Sequence, residues 1–116
     1  GFGRITRISA DYHDEMIAVN SQLPRAIAVS LVNSDVEGRE TEKFTGDSYR
    51  ELTRIAKINE ELWSELFLEN KEYLLKSIQT FEDQLDLIKA AIKNDDSVAL
   101  KQLFIQSTKR REKFDR

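Results

Sequence analysis

Apolar residues recur three and four positions apart along most of this chain, and no strand-like alternation persists beyond its first few residues. That periodicity predicts helices throughout. Ser9 reads as an N-cap, with Asp11 and Asp14 near the positive end of the dipole, for a helix running from about Ala10 into the AIAVSLV run. Pro24 should kink or break it, because proline lacks the amide donor and disfavours helical geometry at Leu23. Asn33 to Gly38 closes this arm, and the polar EGRETEKF stretch reads as an exposed loop or short helix.

Gly46 and Asp47 read as a turn and cap for a helix from Asp47 to Lys57, on which Tyr49, Leu52, Ile55 and Ala56 mark a buried stripe. Asn59 caps the next helix, whose apolar face is Leu62, Trp63, Leu66 and Phe67. Asn70 opens the longest element. Its seam, Leu74, Ile78, Phe81, Leu85, Ile88 and Ile92, demands another helix to pack on. Asn94 to Asp96 then caps a final helix that continues the apolar face through Val98, Leu100, Leu103 and Phe104. The expected fold is all-α, a helical bundle with a long C-terminal helical hairpin.

Composition narrows what such a bundle can do. At 116 residues the chain is one domain, long enough to take roughly two thirds of its unfolded surface out of water. It has no cysteine, so disulfides, thiolate metal sites and a cysteine nucleophile are excluded; a reducing cytoplasm fits. A net charge of −3 offers no field for nucleic acid. No apolar run approaches the roughly 18 to 20 residues needed to span a bilayer, so no membrane partner is expected. One histidine and scattered carboxylates lack the spacing of a metal site. The initial Gly1 and the single, internal Met16 read as a domain cut from a longer protein.

Two arginines carry the chemical interest. Arg54 flanks the Tyr49 to Ala56 stripe, with Trp63 following soon after, a setting that suits a two-pronged grip on a planar carboxylate. Equally, its stem can cover the core while its head stays in water. Arg25 offers a charge that does not depend on pH. His13, beside Asp14, is either a proton carrier or a structural hydrogen-bonder. Trp63 is either a site aromatic or core. The basic KRREK run near the C-terminus complements a helix dipole.

Four segments in order, His13-Asp14, Ser21 to Arg25, the Thr-Arg-Ile-Ala run of Thr53 to Ala56, and Trp63 followed by the helix after Asn70, resemble the C-terminal helical domain of prephenate dehydrogenases. The resemblance covers nearly the whole chain. It implies a 6-phosphogluconate dehydrogenase C-terminal-like fold, an intertwined homodimer, and a division into a linker remnant, 1–8, and a helical dimerisation and substrate-binding domain, 9–116. It implies also that the parent oxidises prephenate to 4-hydroxyphenylpyruvate with NAD or NADP, in tyrosine biosynthesis. Cofactor and catalytic histidine would lie in a separate N-terminal nucleotide-binding domain, leaving this chain inactive alone. Arg54 matches the family arginine that grips a substrate carboxylate; Arg25, Trp63 and His13 join it as substrate-binding candidates. Gln22 and Arg25 stand where the family usually has histidines, and Asp47 and Ser48 interrupt a usual Gly-Gly-Phe-like run, so arogenate stays open as the substrate. The alternative is a free-standing helical association module that binds no metabolite.

Overall fold

The computed structural model describes residues 9–115. The linker remnant expected at 1–8 lies outside them. Every regular element among the described residues is helical. The chain divides into two compact units, one ending at Ile78 and one starting at Gln79.

The first unit opens where expected. Ser9 is extended, and its hydroxyl accepts from the Tyr12 amide at 3.1 Å, which starts helix α1, Ala10–Ile17. No break follows at proline. The chain passes through a π-helical turn, Ala18–Gln22, directly into α2, Leu23–Asn33, and Leu23 keeps right-handed helical geometry at φ −59° and ψ −46°. The expected kink is replaced by a change of hydrogen-bond register. The Leu23 amide donates to the Ala18 carbonyl, five residues back, and Pro24 then falls in the first turn of α2, where a missing donor costs little.

After α2 the chain turns at Gly38, whose φ of 88° is open to glycine at little cost, and makes a 3₁₀ turn at Thr41–Lys43. Helix α3, Asp47–Thr53, starts from an extended Gly46 and is shorter than the Asp47 to Lys57 span expected. Its end has a local cause. The Thr53 hydroxyl donates back to the Tyr49 carbonyl at 2.7 Å, and the chain tightens into a 3₁₀ turn at Arg54–Ala56 before Lys57 becomes extended. Both α3 and this turn pack against α2. Tyr49, Ile55 and Ala56 are half-buried, but Leu52 is 60% exposed. The covered side of α3 runs through Tyr49 and Thr53, four apart, and Leu52 lies off it.

Helix α4, Glu60–Glu69, begins at Asn59, whose side chain accepts from the Leu62 amide at 3.0 Å. Trp63, Leu66 and Phe67 are half-buried, with Trp63 and Phe67 packed edge to face at 6.3 Å between centroids. Leu62, expected on the same face, is exposed. Asn59→Ala should lower stability by about 1 kcal/mol, a fall of several degrees in thermal midpoint, since it removes only the cap. A calorimetric scan showing no shift would mean that α4 is held by its packing alone.

Helix α5, Lys71–Lys93, supplies residues to both units. Leu74 and Ser77 are buried on its first part. Partial burial first, and then the repulsion and hydrogen bond of Asp11, raise the pKa of the Tyr73 phenol above its ordinary value, so it stays a neutral donor. In the second unit, Asn94–Asp96 turns the chain, with Asp95 left-handed at φ 52°, and the Asp96 carboxylate accepts from the Ala99 amide at 3.0 Å to cap α6, Ser97–Glu112. Here the seam stays half open. Phe81 and Ile88 are half-buried, whereas Leu85, Ile92, Val98 and Phe104 are exposed, Ile92 by 61%. The buried apolar residues among those described are Ala18, Ala28, Leu74 and Ala91, so most large apolar side chains keep contact with solvent.

Candidate functional site

The π turn has a geometric consequence. In an uninterrupted α-helix, residues spaced by four drift steadily around the axis. The wider turn sets that drift back, and His13, Ile17 and Ser21 line one cleft together. Its opposite wall comes from α4, through Trp63 and Leu66. The cleft is about 440 Å³, within the range of small-molecule sites.

One turn beyond Ser21, Arg25 stacks on the cleft wall without being one of its lining residues. Its guanidinium lies over the Trp63 ring at 4.0 Å from the centroid, and one of its terminal nitrogens donates to the Ser21 carbonyl at 3.0 Å and the Ser21 hydroxyl at 3.4 Å. An arginine held this way on two sides is stacked and aimed, and it keeps further N–H groups for an anion. His13 and Asp14 approach to 3.7 Å with both side chains largely exposed, a pairing that contributes little to stability. His13 and Trp63 therefore line the cleft, and Arg25 stacks on its wall.

Arg54 stands elsewhere. It opens the 3₁₀ turn that packs on α2, its side chain is 73% exposed, and its nearest acid is Glu51 at 3.9 Å. It is not among the residues lining the cleft. The Ser21 to Arg25 run and Trp63 thus meet at one place, and the Thr53 to Ala56 run presents its arginine to solvent.

Two residues of the site escaped the sequence reading as contributors. Gln22 is only 2% exposed; its amide nitrogen donates to the Leu66 carbonyl at 2.9 Å, and its oxygen accepts from the Asn70 amide at 2.8 Å. Asn70 donates also to the Asp14 carbonyl at 2.9 Å. The available signal was spacing: Gln22 sits four residues after buried Ala18, a polar side chain on the inward stripe. Among the described residues, no group of three or more His, Asp or Glu is placed to hold a metal ion.

Comparison with known proteins gives this geometry a family. Residues 9–106 match the family model described as prephenate dehydrogenase, dimerization domain. The chain is 34% identical to a cyclohexadienyl dehydrogenase of Zymomonas mobilis over 94% of its own length and 39% of that protein. A crystal structure of Synechocystis arogenate dehydrogenase superposes with a TM-score of 0.80 at 26% identity, covering 88% of this chain and 39% of that one. The structure of prephenate dehydrogenase from A. aeolicus, in complex with hydroxyphenyl propionate and NAD+, superposes with a TM-score of 0.74 at 32% identity, over 90% of this chain and 38% of that one. The chain thus spans about two fifths of the length of these relatives. A match across nearly every described helix, including those that build the cleft, is enough to conclude that this chain belongs to the prephenate dehydrogenase family and corresponds to its dimerization domain.

Proposed function

We propose that this chain is the dimerisation and substrate-binding part of a cytoplasmic dehydrogenase that oxidatively decarboxylates prephenate, or its amino relative arogenate, on the way to tyrosine. The observation that carries the reading is the Arg25 guanidinium stacked on Trp63, which lines a 440 Å³ cleft, in a chain of this family. A ring acid needs a fixed cation and an aromatic wall, and Arg25 and Trp63 would supply one of each beside a cleft whose lining also includes Asp14 and Glu69. Arginine keeps its charge at any physiological pH, so binding through Arg25 would not require a protonated histidine.

Arg54, exposed and outside this cleft, would supply the second grip only where another copy or domain carries the substrate to it; there a bidentate carboxylate pair would replace its loose 3.9 Å contact with Glu51. No strand occurs among the described residues, so they contain no βαβ unit for a dinucleotide. NAD or NADP, together with the catalytic histidine, would be held by another domain, and this chain alone would bind substrate without oxidising it. Its own residues would orient the carboxylates and wall the ring from water. Two copies would associate through the open seam of the second unit as a homodimer.

In the full-length parent, Arg54→Ala should raise KM for prephenate about tenfold or more while leaving KM for the cofactor unchanged, because only a substrate contact is lost. Unchanged substrate kinetics would remove Arg54 from the site. The exposure of Arg54 and of the apolar seam also favours a second reading, an association module that binds no metabolite. Under it, Arg25→Leu and Arg54→Ala would both leave turnover intact.

A further inference from the structure

We infer that Gln22 and Asn70 form an amide clasp that positions the cleft, setting the Arg25–Trp63 platform against the helix that carries His13. The inference concerns the site described under the proposed function, and its kinetic test rests on that reading. Three long-range hydrogen bonds make up the clasp: Gln22 to Leu66, Asn70 to Gln22, and Asn70 to Asp14. They tie the π turn, the last turns of α4 and the middle of α1 into one unit.

The direction of every bond is fixed by carbonyls at the two ends. The Leu66 carbonyl can only accept, so Gln22 must turn its nitrogen there and its oxygen toward Asn70. Asn70 must then present its own nitrogen, and the Asp14 carbonyl accepts from the same group. Neither amide can flip without setting acceptor against acceptor. The Asn70 main-chain amide donates to Phe67 rather than to Leu66, four residues back, so the α4 helix does not use this amide at the Leu66 carbonyl. Trp63 stands one turn before Leu66 on the same face, and Ser21, which holds Arg25, precedes Gln22 in the chain.

Burial makes the arrangement consequential. At 2% exposure, Gln22 has no water to replace a lost partner, so weakening the clasp should move the helices rather than merely rehydrate the amide. Gln22 therefore acts as a positioning residue and not as a direct substrate ligand, and the anion is left to Arg25.

Trp63 is the only tryptophan of the chain, so its fluorescence reports on the cleft wall. In the 116-residue chain, Asn70→Ala should keep its helical circular dichroism while Trp63 emission shifts to the red and acrylamide quenching rises. In the full-length parent, the same change should raise KM for prephenate about tenfold with kcat preserved, the signature of a displaced binding surface. A folded variant with unchanged emission and quenching would overturn the clasp. If Asn70→Ala unfolds the chain, Gln22→Met replaces it with the same readings, because it keeps the length of the buried side chain and removes its bonds to Leu66 and Asn70. A Trp63 shift with unchanged KM would uphold the clasp and instead count against the cleft as the substrate site.

Discussion

Ile92→Glu combined with Phe104→Glu should leave the chain monomeric at micromolar concentration, with its helices intact, where the unaltered chain should sediment as a dimer. Both side chains are exposed in the single chain, together with Leu85, Leu87, Val98 and Ile105. Leu85 and Ile92 on α5, and Val98 and Ile105 on α6, are pairs seven residues apart, exposed apolar stripes of the kind that marks an interface. Two copies related by a twofold axis would present each substitution twice. Four carboxylates would then enter an apolar contact without partners, each costing several kcal/mol unless it escapes to water. A loss of about 4 kcal/mol or more weakens association at least about a thousandfold, enough to separate the copies at such concentrations. The helices should survive, because each of the two positions already faces solvent in the single chain and glutamate is a good helix former. Sedimentation of the double variant as a dimer would place the interface on another surface and remove the seam from the argument.

The seam was legible in the sequence, but its occupancy was not. A four-and-three repeat from Leu74 to Ile92 says that a helix wants cover on one side; it does not say whether the cover comes from its own chain. The structure covers the first part, at Leu74, and leaves Leu85 and Ile92 open. The caps were read correctly at Ser9, Asn59 and Asp96, because an Asn, Asp or Ser before a periodic run acts through a bond to an amide three residues on, wholly within the local chain. Proline was read by the same local logic and misjudged. Its missing donor predicts a break only if the hydrogen-bond register is fixed, and here the register shifts at Ala18–Gln22 instead. Gln22, at the end of that turn, is bonded from outside the helix by Leu66 and Asn70, and contacts separated by 44 and 48 positions leave no periodic trace. The site shows the same limit. Arg25, Trp63 and His13 could each be named from type and order, but the stacking of one on another depends on where the π turn points them.

Ala28→Leu should destabilise the first unit by about 2 to 3 kcal/mol, lowering its thermal midpoint by roughly 10 °C, the penalty of forcing extra carbons into closed space. Ala28 is 1% exposed and is the buried residue of α2, the helix against which α3 and the Arg54–Ala56 turn pack. Alanine permits a close approach that any longer side chain would have to open. Two segments packed on α2 are short and able to yield: α3 has seven residues, and the turn after it has three. Isolated helices of that size hold their shape only through packing. The strain should therefore be relieved by displacement of the turn that carries Arg54, while the Gln22–Asn70 contacts on the other flank stay in place. Two readings follow from one variant. Trp63 fluorescence should remain near that of the unaltered chain, and the parent enzyme should lose affinity for substrate as it does in Arg54→Ala. A Trp63 signal that moves as far as in Asn70→Ala would mean that α2 transmits the displacement through Arg25, making the two arginines parts of one rigid element rather than two independent grips.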